Sequence, residues 1–309
     1  MQQVEDRLLR ELSIGEDFLV DKVTHLARAG GKRFRPMFAL LASEFGAKPL
    51  SDNVIKAAVV VEITHLATLY HDDVMDEATM RRGVPSANSR WDNSVAILAG
   101  DILLAHASRL MSQLGMETVA HFAETFGELV TGQMRETVGA RGGDPVDHYM
   151  KVIREKTAVL IASAGFLGSM HAEATPEHVD ALKKFGAAVG MIFQIVDDII
   201  DIFSETAESG KTPGTDLREG VFTLPVLYAM REQTEVGAQL REILTGPIED
   251  DDTVNRALDL LARSGGRSEA LADVHRYMDI ANAELDRLPD NSVKDALRNL
   301  AIFTVQRVG

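Results

Sequence analysis

YHDDVMDEATMRRG, residues 70–83, closes the apolar run VVVEITHLATL (59–69) with three aspartates, Asp72, Asp73 and Asp76, and two arginines, Arg81 and Arg82. The apolar run reads as a buried helix. Acids three and four residues apart share one helical face and repel each other, so a chain that only had to fold gains nothing from placing them there. The pattern recurs in FQIVDDIIDIF (193–203), where Asp197, Asp198 and Asp201 keep the spacing D-D-x-x-D. With 25 aspartates in 309 residues, chance supplies roughly 0.16 such matches. Two matches, each on an apolar helix, therefore point to a shared chemistry. Oxygen-only carboxylate clusters suit Mg²⁺, a hard cation that bridges protein carboxylates to substrate phosphates. The acidic run Asp250–Asp252 has neither an apolar lead-in nor a basic neighbourhood and reads as a solvated helix start.

Bulk properties narrow the partners. The net charge is −15, which argues against nucleic acid, since phosphate backbones need a basic face. Small anionic ligands need only a local basic cluster. The chain has no cysteine, which removes disulfides and thiolate-bound zinc and suits a cytoplasmic location. The longest apolar-like run, 158–170, is shorter than the ~18 residues of a spanning helix, so no transmembrane segment is expected. The start, MQQVEDRLLREL, is charged and amphipathic, unlike a signal peptide.

Helical periodicity runs almost throughout, beginning with Leu8, Leu9 and Leu12 and then Val20, Val23 and Leu26. Segments near 54–75, 91–112, 116–138, 147–171, 176–204, 235–244, 253–263, 268–287 and 291–307 read as helix, and no strand pattern appears. Turn signals at 30–31, 142–145 and 209–214 separate them. The chain reads as a single all-α domain, 1–309. Gly165, Gly168, Gly186 and Gly190 lie inside apolar helices, where small residues permit either close packing or space for a ligand.

The cations complete a phosphate-binding pattern. GGKRFRP (30–36) sets Lys32, Arg33 and Arg35 between a glycine pair and a proline, and the arginine fork suits phosphate oxygens. His65 lies two helical turns before Asp72 on nearly the same face. Lys156 and Thr157 open an apolar helix, Gln194 stands one turn before Asp197, and Lys211 sits in the loop SGKTPGTDLREG.

Taken together, GGKRFRP, HDDVMDEATMRRG, Gly132-Gln133, Lys156-Thr157 and FQIVDDIID resemble, in order and separation, the trans-isoprenyl diphosphate synthases over about residues 5 to 305. The resemblance implies the isoprenoid synthase fold: antiparallel helices around a deep central cavity, in a homodimer. It implies condensation of isopentenyl diphosphate with an allylic diphosphate, held through three Mg²⁺ ions by both acidic motifs. The implied metal ligands are Asp72, Asp76 and Asp197, with Asp73, Asp198 and Asp201 completing the acidic surface. Arg81, Lys156 and Lys211 would meet the allylic diphosphate. Lys32, Arg33, Arg35, His65 and Arg82 would meet isopentenyl diphosphate, with Gln133 also in the substrate site. Thr157 and Gln194 would stabilise the allylic cation. Where the family often has a second loop lysine, this chain has Val221.

In that family, bulky residues four and five positions before the first aspartate stop elongation. Here Thr68 and Ala67 occupy those positions, which favours a long product, C30–C50, over a C15–C20 one. A class I terpene cyclase would carry serine or threonine at Asp201, although Glu205 does match that class's second motif. An inert subunit of a heteromeric synthase would have lost aspartates that this chain keeps.

Overall fold

The computed structural model describes residues 1–203 and 213–308. Lys211 and Glu205 therefore lie outside the described residues. Helices dominate, and their contacts group into two compact units that interleave along the chain. The first comprises residues 1–127, 160–183 and 287–289; the second comprises 128–159, 184–286 and 290 onward.

The first unit is built around α4 (Asp52–Met75), which lies against α1 (Gln2–Leu12), α3 (Phe34–Ser43) and α6 (Asn93–Ser112). Val54 to Ala67 of α4 are buried apart from Lys56 and His65, so this helix has core on nearly every side. Leu8, Leu26, Phe38, Ile63, Leu103 and Leu110 fill that core. Tyr70 anchors α2 (Asp17–Arg28): its hydroxyl donates to Lys22 O at 2.5 Å and accepts from Leu26 N at 3.3 Å. By length and composition α4 and α6 each reach the measure of a membrane-crossing helix, which counting uninterrupted apolar runs had missed; their apolar windows are 72% and 39% buried inside the protein.

After α4 the chain makes a two-stranded hairpin, Met80–Arg81 with Val84–Pro85. Arg82 and Gly83 form its tip at φ 53° and 77°, the backbone that a two-residue hairpin turn requires. A short α5 (Ala87–Arg90) then leads into α6. The helices α7 (Met116–Val138), α9 (Val159–His171) and α10 (Pro176–Phe203) follow, with α8 (Pro145–Ile153) and a π turn (Arg154–Ala158) between α7 and α9. Gly165 and Gly168 are packing glycines: a Cβ there would come 2.5 Å from Leu182 O and 2.1 Å from Ala39 O.

In the second unit, α11 (Thr215–Glu219), α12 (Leu224–Arg231), α13 (Glu235–Ile243), α14 (Asp251–Arg263), α15 (Gly266–Asp286) and α16 (Ser292–Val305) complete the chain. Leu217, Val226, Leu240, Leu244, Val254 and Leu261 share one apolar cluster. Starts are capped as their sequences suggest. Asp144, Asp250 and Asn291 accept from the N–H groups of Asp147, Thr253 and Lys294 at 3.0, 2.8 and 2.8 Å. The acidic run at 250–252 is indeed a helix start.

Candidate active site

The first half-site belongs to the first unit. Gly30 and Gly31 take φ of 95° and 137°, and Arg33 is left-handed at φ 47°. Such a backbone costs a non-glycine residue about 1 kcal/mol, and Arg33 is held there by many bonds. It donates to Glu5 at 2.6 Å, to Glu62 at 2.9 Å, to Gly30 O at 3.1 Å and to Ala27 O at 2.7 Å. Its guanidinium is thus spent inside the protein and shapes the turn; it does not present its fork outward. Lys32 is exposed and Arg35 partly so.

Arg82 reaches back from the hairpin tip to the same turn, donating to Leu26 O at 3.2 Å and to Gly30 O, with Glu62 at 3.7 Å. Gly31 makes room for it, since a Cβ would sit 2.9 Å from the Arg82 guanidinium carbon. Glu62, 2% exposed, is the acid that faces this cluster from α4. Burial raises its pKa while Arg33, Arg82 and Arg35 pull it down. Burial lowers Arg35 to about 10. His65, one turn from Glu62, is pushed well below its usual value by burial and by the surrounding arginines, so it is a neutral imidazole at pH 7.

The first acidic motif divides by depth. Asp73 is fully buried and accepts from Arg81 Nε at 2.6 Å. Asp72 is partly accessible and Asp76, which caps α4, is exposed. First and last aspartates are therefore the more accessible pair of the motif. Two buried polar atoms of this half-site, Arg35 Nε and Asp73 Oδ2, have no partner among the described residues. A buried polar atom left unpaired costs about 1–3 kcal/mol. Of the two positions expected to set product length, Thr68 keeps accessible surface whereas Ala67 has none. The small side chain at Ala67 is packed shut.

The second half-site belongs to the second unit. The π turn 154–158 carries Lys156 and Thr157, and π turns add a residue to a helix and re-aim its side chains. Gly132 makes this possible: a Cβ there would lie 2.7 Å from Glu155 Cβ and 2.8 Å from Lys156 N. Arg135 holds Glu155 through two bonds of 2.9 and 3.0 Å, and Lys156 pairs with Glu136. Gln133 is partly accessible.

Thr157 Oγ1 donates to Gln194 Oε1 at 3.0 Å, and Gln194 Nε2 donates to Asp198 Oδ1 at 3.0 Å. The Tyr149 hydroxyl donates to Asp198 Oδ2. Both oxygens of Asp198 thus face protein donors, and burial pushes its carboxyl up to about 8 against the pull of those bonds. Asp201 is 5% exposed and accepts from Asp216 N at 3.3 Å. Asp197 is the most accessible of the three, and Arg307 Nη1 lies 2.8 Å from its Oδ1. Among the described residues no three acidic or histidine side chains converge on one point. A metal here would complete its shell with ligand oxygens, as Mg²⁺ does on phosphates. Glu62, Tyr149 and Arg307 were not singled out from sequence. Glu62 left a trace there, as the one acid within the apolar run 59–69.

Helices bearing two acidic ends with cationic partners make up the isoprenoid synthase fold, and the comparisons with known proteins agree. Residues 16–261 match the Polyprenyl synthetase family; the chain belongs to that family and is a prenyltransferase. It is 52% identical over 308 residues to the nonaprenyl diphosphate synthase of Mycobacterium tuberculosis, covering 99% of this chain and 92% of that one. Among solved structures it resembles, at 80% identity and a TM-score of 0.93, a geranylgeranyl pyrophosphate synthase from Corynebacterium glutamicum complexed with calcium and isoprenyl diphosphate. That match covers 100% of this chain and 95% of the other. A decaprenyl diphosphate synthase from Rhodobacter capsulatus matches at 33% identity and a TM-score of 0.90, covering 100% and 96%.

Proposed function

We propose that this prenyltransferase adds isopentenyl diphosphate repeatedly to an allylic diphosphate and releases a C30–C50 all-trans product. The observation that carries the reading is the split within each acidic motif. In each motif protein donors hold part of the set, Asp73 on Arg81 and Asp198 and Asp201 on Tyr149, Gln194 and Asp216 N, while Asp72, Asp76 and Asp197 keep accessible surface. A purely structural acidic helix end would have no reason to keep that division twice.

Asp72, Asp76 and Asp197 would hold Mg²⁺, three ions per site, with Asp201 beside them. When bound, the metal offsets charge on the departing diphosphate. Arg81, Lys156 and Lys211 would receive the allylic diphosphate, and Lys32, Arg35 and Arg82 isopentenyl diphosphate, with neutral His65 donating one hydrogen bond. Arg33 holds the turn that aims them. Thr157 and Gln194, whose side-chain oxygens lie 3.0 Å apart, would offer neutral oxygens to the allylic cation. The C4 alkene carbon of isopentenyl diphosphate then bonds to the allylic C1, and the C2 proton leaves with the diphosphate. No nucleophilic side chain takes part.

A homodimer is part of the proposal. Met116, Ala120, Ala123, Gly127, Val130 and Met134 recur at alternating four- and three-residue steps along α7 and all are exposed, Met116 by 79% and Met134 by 60%. Such a seam fits a second helix, and a second copy of the chain supplies one. The family match over 16–261 supports treating 1–309 as one functional domain, and a cytoplasmic setting suits its cysteine-free composition. A second reading, a product stopping at C20, is favoured by the name of the C. glutamicum structure. The test is product length. The purified protein is incubated with Mg²⁺, labelled isopentenyl diphosphate and C5 to C20 starters, and the dephosphorylated products are separated. A ladder ending at C30–C50 supports the first reading, a stop at C20 the second, and no elongation defeats both.

A further inference from the structure

Asp197 is the accessible aspartate of the second motif, and its partner is a cation from far along the chain. Arg307, just beyond the end of α16, places Nη1 2.8 Å from Asp197 Oδ1, with both side chains about 30% exposed. The same guanidinium lies over the ring of Phe193, 5.8 Å from its centroid and one turn before Asp197 on α10. Arginine so placed does for the carboxylate what a metal ion would do: it supplies positive charge at hydrogen-bond distance. The carboxylate oxygen cannot serve both at full strength. Next to Arg307, Val308 O accepts from Arg267 Nη2 at 2.7 Å.

From this geometry we propose that Arg307 is a built-in competitor of the divalent metal at Asp197. Metal entry and release of the segment at 306–308 are then one exchange. The proposal rests on the assignment of Asp197 as a metal ligand. It gives the site a way to keep Asp197 neutralised and correctly placed before metal arrives. It also makes the position of the 306–308 segment a reporter of metal occupancy, and it assigns a role to a residue that no acidic or basic motif contains.

Binding of Mn²⁺ to the full chain, followed by loss of the free-ion paramagnetic resonance signal without any diphosphate, tests this directly. For a pair exposed by about a third the competition is modest, so Arg307→Met should bind Mn²⁺ about two- to five-fold more tightly than the parent, and Arg307→Lys should fall between them. The direction is diagnostic, because structural damage would weaken binding. Amide exchange in 306–308 of the parent should quicken when Mn²⁺ is added and be insensitive to it in Asp197→Asn. Equal or weaker Mn²⁺ binding in Arg307→Met, while Asp197→Asn binds less than the parent, would overturn the exchange and leave the metal assignment standing. Unchanged Mn²⁺ binding in Asp197→Asn would overturn the assignment itself.

Discussion

Glu62→Gln is the substitution that most directly tests how the basic turn is held. The carboxylate is 2% exposed, lies 2.9 Å from Arg33 Nη1 and 3.7 Å from Arg82 Nη2, and also faces Arg35. Glutamine keeps the shape and one acceptor but removes the charge that offsets these guanidinium groups. Removing one partner of a buried ion pair costs about 3–5 kcal/mol. Arg33 retains Glu5 at 2.6 Å, so the lower end, about 3 kcal/mol, is expected. For a chain of this size that lowers the melting temperature by about 5 °C. The assay is thermal unfolding by circular dichroism at fixed protein concentration, with and without inorganic diphosphate. An added anion supplies the missing negative charge, so diphosphate should raise the melting temperature more in the variant than in the parent. A variant that melts within 2 °C of the parent, or gains no more from diphosphate, would refute the view that Glu62 balances the cluster.

Three other outcomes follow from named contacts. His121, with Ser163 Oγ 2.9 Å from Nε2 and Phe166 stacked at 4.0 Å, is lowered to about 4 by burial. It folds neutral, so its stability contribution is full above pH 6.5 and is lost as pH falls toward 4; between pH 7.5 and 5 the parent should lose about 2 kcal/mol more than His121→Gln in urea unfolding, and equal losses would contradict this. Gly132→Ala drives a methyl into Glu155 and the Lys156 backbone, so it should cost about 1–3 kcal/mol and lower kcat by displacing Lys156 and Thr157; unchanged melting and turnover would show the helix can give way. Thr68→Phe should shorten the product at near-parent stability, whereas Ala67→Phe, placed where no surface is accessible, should destabilise by about 1–3 kcal/mol; the reverse ranking, read by product chromatography and thermal melts, would return the length-setting role to Ala67.

The parts legible in sequence are those written in local pattern. Most of the long helical segments, the acidic motifs and the basic turn follow from spacing and residue type, and observed bounds such as Pro176–Phe203 and Glu235–Ile243 lie close to those read from periodicity, whereas the single helix read at 147–171 is α8, a π turn and α9. What stayed hidden depends on partners distant in sequence. Arg33 looks like its neighbours Lys32 and Arg35 until Glu5 and Glu62 are seen to claim its fork. Tyr149 and Arg307 sit 49 and 110 residues from their carboxylates, and no periodicity marks such pairs. The short helices Thr215–Glu219 and Leu224–Arg231 were too brief to show a repeat. The π turn was invisible because its cause, the missing side chain at Gly132, lies on another helix.

The interleaving of the two units bears on how the chain is made. Domains that follow one another in sequence can fold one at a time as they leave the ribosome. Here the first unit draws on residues up to 289, and Arg287 reaches it through a 2.8 Å ion pair with Asp180. Neither unit has its full set of residues until nearly the whole polypeptide has emerged. No single cut yields an intact unit, and a crossover with a related gene at one point would mix both half-sites' supporting residues. Completion of the first unit is therefore tied to residues 287–289, which are made after most of the second.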